Sequence, residues 1–317
     1  MAARKQPVEL HEAREFLNAR FDDRVSGVAE LGAGAWSRAF SFELDGREHV
    51  ARFGQHREDF EADQAAMDSA SRDLPVPAVT EIGEALDGAY AISERYRGVF
   101  LESLDQAGWK QILPALFRGL DALREHPTTW PSEWTTEHAA LADGPSGFWG
   151  AQLLGGLVDT PGNRVSGWRA VLEQSAELDA LFNTALRRFS ELLTVCPTTP
   201  HLIHADLLNR NVLVSDDACR LVAVFDWGCL KYGDFVYELA WFTFWAPWHP
   251  ALAAIDIRSA ALDHYNANGL PVPGFDQRLR CYELHIGLDH LAYNAFTGNT
   301  DELQAVARRT NTLLNET

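Results

Sequence analysis

One short run carries residue types able to do chemistry at a telling spacing: His204-Ala205-Asp206-Leu207-Leu208-Asn209-Arg210-Asn211, of the form H-x-D-x-x-x-x-N. Apolar Leu202-Ile203 precedes it and Val212-Leu213-Val214 follows. A second apolar run, Leu221–Phe225, leads to Asp226-Trp227-Gly228. A carboxylate, an amide and a second carboxylate in this order suit phosphoryl transfer from a nucleoside triphosphate. The phosphates bring several negative charges, Mg²⁺ neutralises them, and Mg²⁺ takes hard oxygen ligands such as Asn211 and Asp226. Asp206 is then free to orient an acceptor hydroxyl and take its proton. A competing assignment makes His201, His204 and Asp206 ligands of a hydrolytic metal. It wants another ligand at short spacing, where Leu207-Leu208 stand. His204 reads as a hydrogen-bonding residue that shapes the loop.

Such chemistry also needs a cation on a strand to hold the phosphates. The chain has three lysines, Lys5, Lys110 and Lys231, none within a strand-like run of the first hundred residues. The strand context Val50-Ala51-Arg52-Phe53 assigns the role to Arg52, a planar bidentate phosphate donor. Its expected carboxylate partner is Asp63 on the following helix, where Met67 and Ala70 continue one face; Glu61 is the alternative. The stretch Leu31–Arg38, with Gly32 and Gly34, falls where a phosphate-covering loop belongs, and backbone N–H groups near Gly34 and Ser37 are expected to approach the γ-phosphate. The junction Ser93-Glu94-Arg95-Tyr96 places extended backbone at Glu94 and Tyr96 beside the nucleotide base.

The elements that must position these residues follow from periodicity. Pro7–Phe21 predicts an amphipathic helix. Val28–Leu31, Ala39–Leu44, His49–Phe53, Val79–Ile82 and Tyr90–Ser93 predict strands, with hairpin turns at Asp45-Gly46 and Asp87-Gly88. Glu58–Arg72 predicts a helix. Helical periodicity takes over at Leu104–Arg124, Gly167–Leu193 and from Tyr237 onward, interrupted by a β island over 201–226. The fold class is α+β: a bilobal arrangement with a small antiparallel β-sheet lobe over residues 1–97, a hinge near 93–98, and a larger, mainly helical lobe over 98–317 with an embedded hairpin. The Trp-, Gly- and Pro-rich stretch 127–163 has no assigned element and reads as a functional insertion.

Composition bounds the partners. The chain has 317 residues with 27 Lys+Arg against 45 Asp+Glu, a formal charge of −18. That surface repels nucleic acid and anionic lipid and attracts cationic small molecules. The acidity is shared, with 12 basic and 19 acidic residues up to Arg97 and 15 against 26 beyond it. Four cysteines without a C-x-x-C pair read as reduced thiols of a cytoplasmic protein. No signal-peptide pattern opens the sequence, and the most apolar stretch, Leu239–Trp248, is too short to span a bilayer.

With these residues in place, the chain resembles the aminoglycoside phosphotransferase family, a branch of the protein-kinase-like fold. The likeness rests on His204–Asn211 and Phe225-Asp226-Trp227. It is nearest the hygromycin B-phosphorylating branch through Ser37–Phe42, His201–Asp206, Phe244–Trp248 and Ile286–Asp289, and an Arg at position 52 fits that branch. The resemblance implies ATP- (or GTP-) and Mg²⁺-dependent phosphorylation of a hydroxyl on a small cationic aminoglycoside, with Asp206 catalytic and Asn211 and Asp226 holding the metal. Expected acceptor contacts are Trp245, Trp248, Asp289 and Glu238, then Glu283. Two other readings remain: a kinase of a small metabolite alcohol, and an inactive nucleotide-binding regulator.

Overall fold

The computed structural model describes residues 8–130 and 147–316; part of the unassigned 127–163 stretch therefore lies outside the described residues. In chain order the strands are β1 (Val25–Ala33), β2 (Ser37–Leu44), β3 (Arg47–Gly54), β4 (Val79–Ala85), β5 (Gly88–Glu94), β6 (Val99–Phe100), β7 (His201–Ile203), β8 (Val212–Val214), β9 (Leu221–Val224) and β10 (Lys231–Gly233). The helices are α1 (Leu10–Arg20), α2 (Arg57–Ala66), α3 (Gln106–Glu125), α4 (Gly147–Gly156), α5 (Trp168–Leu172), α6 (Ala176–Leu193), α7 (Val236–Trp245), α8 (Pro250–Ala253), α9 (Ile257–Ala267), α10 (Phe275–Thr297) and α11 (Thr300–Asn315). Two compact units result. The first comprises Met1–Leu104, Gln111–Ala122 and Asn209–Leu230; the second comprises Asp105–Lys110, Leu123–Leu208 and Lys231–Thr317.

In the first unit, five antiparallel strands lie in the order β1-β2-β3-β5-β4. The period of two sets its faces. Phe40 and Phe42, Ala51 and Phe53, and Tyr90 and Ile92 point to one side and pack with Ala13 and Leu17 of α1. Arg52 therefore points to the other side, where Phe60 of α2 packs with Val79, Ala89 and Ala91. Its cross-strand neighbours are Ala39 and Ala91, small side chains that leave room for a guanidinium. Asp45 and Gly46 both take left-handed φ values, 51° and 77°, as a two-residue primed turn requires. The second turn is one residue earlier than the sequence predicts. Leu86 and Asp87 form it, with φ of 52° and 55°, and Gly88 opens β5. A Cβ on Gly88 would lie 2.5 Å from the Gly54 carbonyl oxygen, so glycine serves close strand approach here.

Helix α2 is shorter than its periodicity predicts. It gives way at Met67 to a tight turn over Met67–Ser69, where the Ser69 hydroxyl donates to the Ala66 carbonyl at 2.6 Å and so satisfies a helix-terminal acceptor. A three-stranded sheet β6-β8-β9 completes the unit.

The second unit is mainly helical, with β7 and β10 as an antiparallel pair. The helical reading of 167–193 divides in two, because Ser175 caps a new helix by accepting the Leu178 N–H at 3.3 Å. Helix α10 packs against α5, α6, α7 and α11. It is buried on several sides, which explains why its sequence lacks a single apolar stripe. Its Arg278 forms a buried ion pair with Asp234, and Tyr282 donates to the same carboxylate at 2.7 Å. Among the described residues no helix is long and apolar enough to cross a membrane.

Candidate active site

The residues expected to face the phosphates assemble within the first unit. Arg52 forms an ion pair with Asp63 through Nη2, and its Nη1 lies 3.3 Å from Asp226 Oδ1. The guanidinium carbon sits 5.1 Å from the centre of the Phe60 ring, a cation–π contact that fixes it from a third side. The other Asp63 oxygen accepts the Trp227 N–H at 2.8 Å. Asp63 thereby ties β3, α2 and the turn after β9 together. Glu61 has no part in this, since it pairs with Arg57 one turn back at 2.7 Å. Helix α2 also comes close to the turn itself, because a Cβ on Gly228 would meet the Asp59 side chain at 3.0 Å.

Ribbon register brings Asn211 and Asp226 together. Val212 pairs with Val224, and the next N–H, that of Phe225, donates to the Asn211 carbonyl at 3.0 Å. The two residues are thus neighbours at the open end of the ribbon. Asp226 has φ 66° and ψ 63°, a left-handed conformation costing a non-glycine residue roughly 1–2 kcal/mol. Fully buried Trp227, whose indole N–H donates to the Val224 carbonyl at 3.2 Å, holds this bend. Asn211 is buried while the Asp226 side chain is about half exposed. Among the described residues, no group of three or more His, Cys, Asp or Glu could hold a metal ion by itself. An amide and a carboxylate carried at adjoining strand ends are hard oxygen donors of the kind Mg²⁺ takes together with phosphate and water.

The glycine loop is more regular than its sequence suggests. β1 runs on to Ala33, and the Gly34 N–H donates to the Ser37 carbonyl at 2.8 Å, closing the hairpin. That donor is engaged within the hairpin, and Ser37 is the first residue of β2. At the junction, Glu94 is exposed at the end of β5, and the Tyr96 hydroxyl donates to it at 3.1 Å. Burial and this hydrogen bond raise the Tyr96 pKa. Glu48 of β3 pairs with both Arg95 and Arg97 and fastens the junction to the sheet.

Asp206 belongs to the second unit and is joined along the chain to Asn211 by Leu207–Arg210. It follows Ala205, which has φ 60°. The Ala205 N–H donates to Glu238 Oε1 at 3.0 Å, and the His204 N–H donates to the same oxygen. Burial pushes the Glu238 carboxyl up to about 7, against the pull of these two N–H groups. Glu238 is therefore a support beneath the loop and not an acceptor contact. Its residue type fitted a cationic ligand, but its place in the first turn of α7 turns it into the interior. Glu283 also departs from expectation: it is buried beside Arg309 at 3.5 Å and Arg280 at 3.8 Å.

The remaining acceptor candidates do gather. The Trp245 ring lies 4.9 Å from Trp248 and 4.7 Å from His290, both edge-on. The half-exposed Asp289 carboxylate is 3.9 Å from His290 Nδ1. Trp241, which stacks on Trp245 at 6.3 Å, and His290 were not singled out from sequence. The i, i+4 spacing of Trp241 and Trp245 on one helix was the available signal.

Comparison with known proteins places the chain in a family. Residues 27–271 match the model of the phosphotransferase enzyme family, and the chain belongs to it. A hygromycin-B 4-O-kinase of Escherichia coli is 31% identical over 308 residues, covering 94% of this chain and 83% of that protein. Among solved structures, a thermostable mutant of aminoglycoside phosphotransferase APH(4)-Ia, in ternary complex with AMP-PNP and hygromycin B, superposes with a TM-score of 0.72. It is 28% identical, and the match covers 95% of this chain and 97% of that one. Spectinomycin phosphotransferase APH(9)-Ia, at 11% identity and a TM-score of 0.60, shares the fold. The architecture is thus the protein-kinase-like fold of the aminoglycoside kinases.

Proposed function

We propose that this protein transfers the terminal phosphate of ATP or GTP to a hydroxyl of a hygromycin B-like aminoglycoside in the cytoplasm and so confers resistance. The observation that carries the reading is Arg52 held between Asp63 and Asp226, with the Asn211 carbonyl bonded to Phe225, the residue before Asp226. This is a phosphate cation next to a pair of hard oxygen donors, in a chain related along 94% of its length to a hygromycin-B kinase.

Each residue then has a role. Arg52 binds non-bridging oxygens of the nucleotide as a bidentate donor. Asn211 and Asp226 hold Mg²⁺, which when bound offsets charge on the phosphate oxygens. Asp206 orients the acceptor hydroxyl and accepts its proton while the new O–P bond forms and the bond from the γ-phosphorus to the bridging oxygen breaks, leaving the nucleoside diphosphate. Trp245, Trp248 and Asp289 suit a polycationic sugar, two by stacking and cation–π contact and one by charge.

The test is nucleoside-diphosphate release in a coupled assay, with hygromycin B, other aminoglycosides, choline, homoserine and simple sugars as acceptors. Turnover stimulated by hygromycin B is expected. Stimulation by a metabolite alcohol alone would overturn the acceptor assignment, and Mg²⁺-dependent nucleotide binding without transfer to any acceptor would overturn the enzyme reading.

A further inference from the structure

Helix α7 ends on Trp245, and the tight turn Ala246–Trp248 that follows it carries Trp248. The backbone at this corner lacks a donor, and the sequence says why. Were the helix to run on, the Thr243 carbonyl would accept the N–H four residues later, but residue 247 is proline and has none. The Ala246 N–H is taken by the Phe242 carbonyl. Arg309 of α11 supplies what is missing: its Nη2 donates to the Thr243 carbonyl at 3.1 Å. The same nitrogen lies 3.5 Å from Glu283 Oε1 of α10, whose other oxygen faces Arg280 Nε at 3.8 Å. Gly287 of α10 lets the three helices approach this closely. A Cβ there would run into the Thr310 hydroxyl of α11 and stand 3.3 Å from the Phe244 ring, and Phe244 packs on both Trp245 and Trp248. All of these residues belong to the second unit.

We infer that Arg309 is a positioning residue for the acceptor: it stands in for the N–H that Pro247 lacks and so fixes the corner on which Trp245 and Trp248 are mounted. A proline ring crowds the carbonyl four residues before it and turns that oxygen away from the helix. A guanidinium outside the helix then meets it with a charge-assisted hydrogen bond, stronger than the neutral one it replaces. Without Arg309 the carbonyl has to find water, the last turn of α7 has to open for it, and the two rings move with that turn. Glu283 holds the cation in place. Both contacts run through Nη2, while Nη1 reaches only the half-exposed Glu316 carboxylate at 3.8 Å and Nε is buried without a hydrogen-bond partner among the described residues. A single ammonium at the Nη2 position can therefore make the same two contacts. The inference rests on the acceptor assignment above and deepens it.

Amide hydrogen exchange over residues 243–250 reads the corner itself, with no substrate present. Arg309→Met keeps side-chain length and apolar packing, and it should speed exchange there by about 10-fold, the scale of one charged hydrogen bond. Calorimetry and steady-state kinetics read the acceptor. In the same variant Kd and KM for hygromycin B should rise by about 10-fold, within the range of a displaced aromatic contact, while KM for ATP stays constant. Arg309→Lys should recover most of both losses. Pro247→Ala gives residue 247 an N–H, so combined with Arg309→Met it should bring exchange and hygromycin B affinity back toward wild type. If the loss came instead from Glu283 left without its cation, the double variant would stay as impaired as Arg309→Met, and the inference would fall. It would also fall if Arg309→Met exchanged at the wild-type rate over 243–250, or if KM for ATP rose as much as KM for hygromycin B. Wild-type protein that binds no hygromycin B would sink the acceptor assignment, and hydrogen exchange would still decide whether Arg309 holds the corner. If Arg309→Met does not fold, the double variant decides: folded and close to wild type in hygromycin B affinity, it upholds the inference; equally unfolded, it overturns it.

Discussion

Arg52 Nη1 lies 3.3 Å from Asp226 Oδ1 while the same guanidinium is paired with Asp63. The two carboxylates differ in kind. Asp63 is buried and also accepts the Trp227 N–H, so it is fully engaged. Asp226 is about half exposed. The arrangement keeps Arg52 anchored on the buried partner and leaves the Asp226 carboxylate half exposed, as the proposed Mg²⁺ role requires.

Substitution at Asp63 should expose this division. With Asp63→Asn the guanidinium loses its charged anchor and its remaining carboxylate is Asp226, where it competes with Mg²⁺. The Mg²⁺ requirement and the KM for nucleotide should both rise, by about 10-fold, as charged hydrogen bonds contribute roughly 1.5–3 kcal/mol. Kinetics across a Mg²⁺ titration reads this out, and a change confined to acceptor KM would contradict it.

Arg52→Lys keeps a charge but loses the planar fork that reaches two carboxylates and a phosphate together. Rate at saturating nucleotide should fall by about 10-fold or more. Arg52→Ala should in addition destabilise the fold by roughly 3–5 kcal/mol, because Asp63 is left as an uncompensated buried charge. Urea denaturation of the two variants separates the effects: the Lys variant should remain close to wild type in stability and the Ala variant should not.

Asp206→Asn keeps the size of the side chain and removes the proton acceptor. Transfer to the acceptor should drop by about 10²-fold or more, within the usual contribution of a positioned base. Nucleotide affinity, measured by calorimetry with a non-hydrolysable analogue, should be unchanged, since the residues proposed to hold the phosphates belong to the first unit. Near-normal turnover would remove Asp206 from the role assigned to it.

The path from sequence to site was legible where chemistry and period coincide. The two-residue alternation of Ala51, Arg52 and Phe53 suffices to put Arg52 opposite the phenylalanine core. The Met67 face singled out Asp63 over Glu61. Spacing joined Asn211 to Asp226 because two short apolar runs around Ser215-Asp216-Asp217 pair as a ribbon. What period cannot show is which way a helix already apolar on most sides turns its one charged residue. The charge of Glu238 in Val236–Trp245 therefore suggests an acceptor contact, although its carboxylate serves backbone N–H groups 33 and 34 residues away. Nor can period show that the Gly34 N–H donates to the Ser37 carbonyl and closes the β1–β2 hairpin.

The aromatic group offers a test of the acceptor assignment. Trp248 packs edge-on against Trp245 and stacks on Phe244, with ring centres 6.0 Å apart, and it retains partial exposure. A cation–π contact with an aminoglycoside ammonium contributes about 0.5–2 kcal/mol. Trp248→Ala should therefore raise KM for hygromycin B by roughly 3- to 30-fold and leave KM for nucleotide unchanged. Trp248→Phe should lie between. Equal effects on both substrates would indicate disruption of α7 and not a lost contact.

Glu238 links the site to pH-dependent stability. Burial raises its carboxyl from 4.5 to about 7, opposed by the N–H groups of Ala205 and His204 and by the charge of Lys231. A raised folded-state value means that the folded protein binds the proton more tightly than the unfolded chain does. The corresponding stabilisation is fully present below pH 4.5 and is lost as pH rises through about 7. The difference corresponds to roughly 3 kcal/mol between those limits. Glu238→Gln removes the titration. Its amide N–H₂ takes the place of the buried, unpartnered Oε2, so the variant should be the less stable protein at pH 5. As pH rises to 8 the wild type should lose its advantage, and the stability difference should move by up to about 3 kcal/mol in favour of the variant. Urea denaturation of both proteins at pH 5, 6, 7 and 8 measures this. A constant difference across the series would show that the carboxylate titrates in the folded protein as it does in the unfolded chain.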